Sequence, residues 1–182
     1  FDDNNNLTEL GEYYSRYKPN AVAGSGTDPV IEIVEEVPGN LLQNGTFETG
    51  EIAPWLGFKN AVLTATIQEP NTGNYLGRIE PHDGSIYQLI SVEPGKTYTL
   101  NFFHRFKTVP INTFNGVLKN EEGDKVKFVE YSLPMIDSWT ENTIEFTVPE
   151  GVQTARLVFY KPQLDPLLPT FFLDDVTIIE NP

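Results

Sequence analysis

Residues 96–106 read "KTYTLNFFHRF". Tyr98, Leu100 and Phe102 fall on one side of an extended chain, and Thr99, Asn101 and Phe103 on the other. Side chains in a strand alternate with a period of two, so an apolar series set against a more polar one marks a strand with one face on a core. "ENTIEFTVP" (141–149) repeats the pattern with Ile144, Phe146 and Val148. Working outward from these two, comparable segments occur at 41–48, 58–68, 74–80, 85–92, 96–107, 115–119, 125–132, 139–148, 154–160 and 171–179. Between them stand turn signals such as "EPNTGN" (69–74), "EPGK" (93–96), "NEEGDK" (120–125) and "KPQLDPLLPT" (161–170). Short strands at a spacing of about 8–12 residues predict an all-β protein, a two-sheet antiparallel sandwich or a barrel. There is no internal repeat.

The first 39 residues are different. They are rich in Asp, Asn, Gly and Ser, and residues 1–40 carry 8 acids against 2 bases, −6 of the chain's −14. "LTELGEYYSRY" (7–17) has weak helical character without an apolar face, and "PVIEIVEEVP" (29–38) reads as an edge strand or extended linker bounded by prolines. The expected organisation is a mostly irregular acidic arm or linker over 1–39 and a β-domain over 40–182.

Composition narrows the function. A net charge of −14 repels nucleic acid and anionic membrane surfaces, so neither is an expected partner. No run of 18 apolar residues is present, so no membrane insertion by a helix is expected. Without cysteine there is no disulfide, thiol nucleophile or thiolate metal site. The chain starts at Phe1, which is read as a processed or truncated product.

Six pieces in order complete the reading: "NLLQNGTFE" (40–48), Trp55, "GNYLGRI" (73–79), "IYQLISVEPGKTYTLNFF" (86–103), "SWTENTIEFTVPE" (138–150) and "TFFLDDVTI" (170–178). Together they resemble the β-sandwich carbohydrate-binding modules of families four, nine, sixteen and twenty-two. The resemblance covers about residues 40–180 and implies an antiparallel jelly roll of the galactose-binding-like kind. It also implies a structural Ca²⁺ clamped between the first and last strands, with Glu48 and Asp174 as ligands. A hard cation takes several carboxylate and carbonyl oxygens. Asp174 is expected to share an inward face with Phe172, Val176 and Ile178. A buried carboxylate needs a partner there. Against this stands the plain alternative that both acids are solvated edge residues.

Catalysis is not expected. His82 and His104 are the only histidines, and no H-E-x-x-H or G-x-S-x-G is present. His104 shares the face of Leu100 and Phe102 and reads as a core-edge residue, and His82 as a loop residue. The acid pairs Asp2/Asp3, Glu35/Glu36 and Glu121/Glu122 fall in the arm or a hairpin turn, and Asp174/Asp175 is assigned to the metal.

A neutral sugar offers apolar C–H faces and equatorial hydroxyls, which a protein meets with aromatic rings and planar polar groups. Taking the face opposite the core in each strand gives Arg78, Tyr87, Asn101, Phe103, Arg105 and Tyr160, and the resemblance adds Trp55 near strand two. Which of the two sheets carries each is open at this stage. Trp139 reads as structural, and Phe114 with the apolar loop "LDPLLP" (164–169) as a cleft wall or an end cover.

The expected function is non-catalytic binding of a polysaccharide or oligosaccharide, a neutral glycan in the first instance. The expected setting is extracellular or cell-surface, bacterial, with the arm tethering the domain to a larger glycan-degrading enzyme or to a lipid anchor as in a lipoprotein. A protein–protein or adhesion module on the same fold is the alternative, and a polysaccharide-degrading enzyme with an unfamiliar site the third.

Overall fold

The structure, a computed structural model, describes residues 37–65, 68–110, 115–120, 127–161 and 169–182. The readings made for residues 1–36, for Phe114 and for most of "LDPLLP" lie outside the described residues. Among the described residues eight strands form: β1 (Leu56–Ala65), β2 (Tyr75–Ser91), β3 (Thr97–Phe106), β4 (Asn115–Asn120), β5 (Lys127–Ser132), β6 (Thr140–Thr147), β7 (Thr154–Lys161) and β8 (Phe171–Glu180). All pairings are antiparallel, in the order β5-β4-β7-β2-β8-β3-β6, with β1 also paired to β2. The described residues form an all-β, nearly barrel-like sandwich of the jelly-roll kind.

One strand makes it so. The segments expected as separate strands at 74–80 and 85–92 are a single strand with a crease. Its first part, Gly77–Ile79, pairs with β8, and its second, Gly84–Ser91, with β7. At the crease His82 has a φ of 84°, so it belongs to a bent strand rather than a loop. Opposite it on β1, Lys59 has a φ of 54° and the register slips between Lys59 and Ala61. Lys59 is bonded across the bend to the Asp83 carboxylate. The sheet therefore folds into a β8 half (β2, β8, β3, β6) and a β7 half (β2, β7, β4, β5), with apolar side chains between them.

The expected strand at 41–48 is a string of turns instead. Asn44 and Phe47 have positive φ values of 51° and 61°, which strand geometry excludes. The Asn44 side chain organises the turns, donating to the carbonyls of Glu51 (2.8 Å) and Ala53 (3.1 Å). The segment still lies along β8, through Leu41 N–H to Ile178 O (2.8 Å) and Val176 N–H to Gly45 O (2.9 Å). Gly45 must be glycine there, since a Cβ would stand 2.0 Å from the Val176 oxygen.

The alternation read from "KTYTLNFFHRF" holds along β3: Tyr98, Leu100, Phe102, His104 and Phe106 are all buried. Phe102 meets Phe159 of β7 edge-on at 5.0 Å, and Phe171 stands 5.4 Å from Phe106. Burying one such ring contributes roughly 1.5–3 kcal/mol. His104 is fully buried rather than at the core edge. Asn142 donates to its Nδ1 (2.7 Å), which leaves the ring proton on Nε2 for the Pro134 carbonyl (2.8 Å).

Two outcomes follow from this packing. A Cβ on Gly77 would approach Phe47 Cζ to 2.7 Å, so Gly77→Ala is expected to cost about 1–3 kcal/mol in chemical denaturation. Burial holds the His104 pKa below its ordinary 6.5. Between that lowered value and 6.5 the unfolded chain binds more protons than the folded one, so this contribution to stability is lost as pH falls below about 6.5. An NMR titration should place the ring's midpoint under 6.5, and a midpoint at or above it contradicts the burial argument.

Candidate functional site

Because β2 is creased, its outward residues supply two different surfaces. In the first part Leu76, Arg78 and Glu80 point away from the core on the β8 half. In the second part Ser85, Tyr87 and Leu89 do so on the β7 half.

The outer face of the β7 half is built in cross-strand rows. Directly paired residues share a face. Leu56 pairs with Tyr87, Tyr87 with Val158, Val158 with Val117, and Val117 with Glu130. The next row runs Phe58, Ser85, Tyr160. On the other side Leu89 pairs with Arg156. Leu56 (47%), Phe58 (51%), Leu89 (45%) and Tyr160 (46%) are four of the six large apolar side chains exposed among the described residues. Phe58 and Tyr160 flank Ser85 two strands apart, about 10 Å by strand spacing. The Arg156 guanidinium lies over the Tyr87 ring at 4.7 Å. This surface combines flat apolar rings with a planar donor, the combination that recognises a sugar face and its hydroxyls. A shallow pocket lined by Leu41, Gln43, Pro54, Leu56, Gln88 and Leu89 opens at its β1 edge. Gln88 is occupied there, exchanging two 2.9 Å bonds with the Gln43 main chain.

The outer face of the β8 half is held down by its own loop. Arg105 is sandwiched between Phe172 (4.3 Å) and Trp139 (5.2 Å), and donates to the Gln68 carbonyl. Trp139 donates from Nε1 to the Glu69 carbonyl (2.9 Å), which fits its structural reading. Arg78 pairs with Glu80 (3.0 Å), and the Asn101 side chain accepts from Thr143 (2.7 Å). Phe103 lies in a row with Glu141 and Asp174.

The seven residues expected to meet sugar are thus not one site. Tyr87 and Tyr160 share the β7 face, while Arg78, Asn101, Phe103 and Arg105 share the β8 face. Trp55 belongs to neither: it is 1% exposed, 5.6 Å from Phe47, with Nε1 bonded to the Asn44 carbonyl (2.9 Å). No ring face of Trp55 is open to a ligand in this conformation. Leu56, Phe58, Leu89 and Arg156 join the β7 face without having been singled out. Phe58 shows its position only through its register with Ser85.

Glu48 and Asp174 grip the same loop. Glu48 accepts from the amides of Asn74 (2.8 Å) and Tyr75 (2.7 Å). Asp174 accepts from those of Asn71 (2.9 Å), Thr72 (3.3 Å) and Asp175 (2.9 Å). Asp175 holds the Asn71 and Thr72 side chains at 2.7 and 2.6 Å. The expected phase of Asp174 needs correction. Asp175 has a φ of 50° and the β3–β8 register shifts beside it, so Val176 and Ile178 face the core while Asp174 faces out with Phe172. Asp174 is nevertheless fully buried, because loop 71–72 lies over it. Burial first, and Asp175 second, push its pKa up to about 8. Among the described residues no three His, Cys, Asp or Glu side chains converge as a metal cluster.

Comparison with known proteins accords with this architecture. The family model of a carbohydrate binding domain matches residues 39–167. The chain is 26% identical over 149 residues to "Endo-1,4-beta-xylanase A" of Thermoanaerobacterium saccharolyticum, covering 78% of this chain and 13% of that one. It is 26% identical over 165 residues to "Exoglucanase XynX" of Acetivibrio thermocellus, covering 84% and 15%. The chain thus spans a small fraction of these relatives' lengths. Among solved structures it superposes on "Family 16 Carbohydrate Binding Module-2" with a TM-score of 0.62 at 20% identity, over 78% of this chain and all of the other. The chain belongs to the carbohydrate binding domain family.

Proposed function

We propose that this domain is a non-catalytic accessory module that holds a neutral-backbone polysaccharide on the outer face of its β7 half. The observation that carries this reading is the pair of rows Leu56–Tyr87–Val158 and Phe58–Ser85–Tyr160, in which Leu56, Phe58 and Tyr160 are exposed around the half-buried Tyr87 and Val158. Exposed contiguous apolar surface on a soluble domain marks a binding site. The relatives' names, a 1,4-β-xylanase and an exoglucanase, favour xylan or a β-glucan over mannan as the first polymers to try. Their length favours residence within a larger, extracellular glycan-degrading protein, with a lipid-tethered surface protein as the other setting. Absence of catalysis is supported by the site's chemistry. Glycoside hydrolysis uses two carboxylates about 5–10 Å apart, whereas among the described residues Glu130 is the one carboxylate in these rows and is bonded to Lys127 (2.9 Å).

We also propose a Ca²⁺ beside Glu48 and Asp174. The donor set suits a hard cation: carboxylates from the 41–48 turns and from β8 meet on the same loop, 71–75, and the one fully buried has no Lys or Arg bonded to it among the described residues. A calcium ion takes 6–8 oxygens, so main-chain carbonyls, with water, would complete the set. A bound ion would supply positive charge to a buried acid and fasten loop 71–75 to β8.

Three outcomes test these readings. By calorimetry, binding of an uncharged xylan or β-glucan should hold nearly constant from low to high salt, because stacking is not screened as exposed charges are. Tyr87→Ala and Phe58→Ala should each weaken it by roughly 1–2 kcal/mol, and Phe103→Ala or His82→Ala should change it little. Failure to bind any neutral glycan would favour an adhesion module. For the metal, chelator should lower the melting temperature of the wild type but not of Asp174→Ala. An unchanged wild-type melt together with no metal on elemental analysis rules the ion out.

A further inference from the structure

The β7 face carries a third row that the neutral-sugar reading does not use. Leu89 pairs with Arg156, Arg156 with Lys119, and Lys119 with Lys127. Three cations therefore stand directly side by side on three neighbouring strands. Like charges directly opposite in a sheet are destabilising. The chain has only 12 Lys and Arg against 26 Asp and Glu, so a row of three bases is not a consequence of composition. The bulge between Leu118 and Lys119 is what brings Lys127 into line: Val129 pairs with Leu118, and the next pair is Lys119 with Lys127. Glu130, one row away, is bonded to Lys127. Among the described residues Lys119 meets no carboxylate. Arg156 links the row to the sugar platform, since its guanidinium covers Tyr87.

We propose that the glycan held on this face carries carboxylate groups, as a neutral backbone with uronic acid branches does, and that Arg156, Lys119 and Lys127 receive them. This rests on the β7 face being the glycan site. Stacking on Phe58 and Tyr160, with Tyr87 and the guanidinium over it between them, holds the backbone, and the cation row beside them reads the branch. Guanidinium and ammonium groups bond carboxylates with charge assistance, Arg as a planar fork and Lys as a point donor. The rival role for the row is a purely internal one, in which it balances Glu121, Glu122 and Asp124 of the connecting turn, which lies outside the described residues.

The test is a pair of polymers with one backbone: glucuronic-acid-bearing xylan, and the same xylan after chemical reduction of its carboxyl groups to alcohols. The readout is the ratio of their affinities by calorimetry. The expected ratio is about 3- to 10-fold in favour of the acidic polymer at low salt, the scale of one or two exposed ion pairs. It should fall toward 1 as added salt shortens the Debye length to a few Å. In Lys119→Met/Lys127→Met it should be about 1 at every salt concentration, while Lys96→Met, a base bonded to Glu180 at 2.7 Å, keeps it. Equal binding of the two polymers by the wild type overturns the proposal and leaves the glycan site standing. A ratio that survives in the double-lysine variant assigns the recognition elsewhere and also overturns it. If neither polymer binds, the glycan reading itself fails and takes the proposal with it.

Discussion

Lys161 ends β7 with a fully buried ammonium, and the rest of the architecture turns on it. Its Nζ donates to the carbonyls of Ile79 (3.2 Å), Glu80 and Pro169 (3.1 Å). These are the last carbonyls of β2 before its crease and one just ahead of β8. A strand that leaves one half-sheet for another must abandon its ladder partners at the bend, and buried carbonyls left without donors are costly. A single lysine with several donors satisfies them together. Burial pulls its pKa down to about 8, so the desolvation cost is substantial, and the carbonyl cage with the nearby Glu80 opposes it. Without that staple β2 has no reason to serve both halves, and the two outer faces lose their separation.

The separation assigns unlike work to the two surfaces. On the β8 side, Arg105 and Trp139 take the carbonyls of Gln68 and Glu69, Asp174 takes the amides of Asn71 and Thr72, and Glu48 those of Asn74 and Tyr75. An irregular loop has no ladder for its backbone groups, so side chains must supply the partners. That is why Arg105, outward and beside an aromatic in the sequence, is committed to the fold. On the β7 side no such loop is bonded over Phe58 and Tyr160 among the described residues, and both rings are about half exposed, with Tyr87 between them under the Arg156 guanidinium.

Alternation made each strand's two faces legible from residues alone. Tyr98, Leu100 and Phe102 had to be inside, and Tyr87, Phe103 and Tyr160 outside, because a period of two permits nothing else once one face is apolar. What alternation cannot reveal is which outside. That depends on pairings between Gly84–Ser91 and β7 and between Gly77–Ile79 and β8, contacts of long sequence separation. Phase also fails wherever one residue is added. The left-handed Asp175 flips the face of everything after it, and the bulge at Lys119 does the same for Lys127. Residues 41–48 read as a strand because Leu41, Leu42 and Phe47 are apolar. Turn chemistry prevailed there, with Asn44 bonding locally and Gly45 admitting the Val176 carbonyl. Trp55 shows the reverse: its place near a loop suggests a ring for ligand, but its indole N–H bonds the Asn44 carbonyl and the ring lies in the core.

An open face also fits a polymer better than a small molecule. Compact ligands are held in concave cavities that bury most of their surface. Leu56, Phe58, Leu89 and Tyr160 are each about half exposed, so none encloses anything. Such contacts are individually weak, and they become useful when a long ligand meets several of them in register at little ordering cost. The sheet supplies that economy, because cross-strand pairing fixes the spacing of Phe58, Tyr87 and Tyr160 before any ligand arrives, which is the advantage of preorganisation. The same rigidity limits what the face can discriminate. Flat rings accept any sugar with an apolar side, so selectivity must come from groups set beside them, and on this face the charged candidates are those carried by the strands flanking Tyr87.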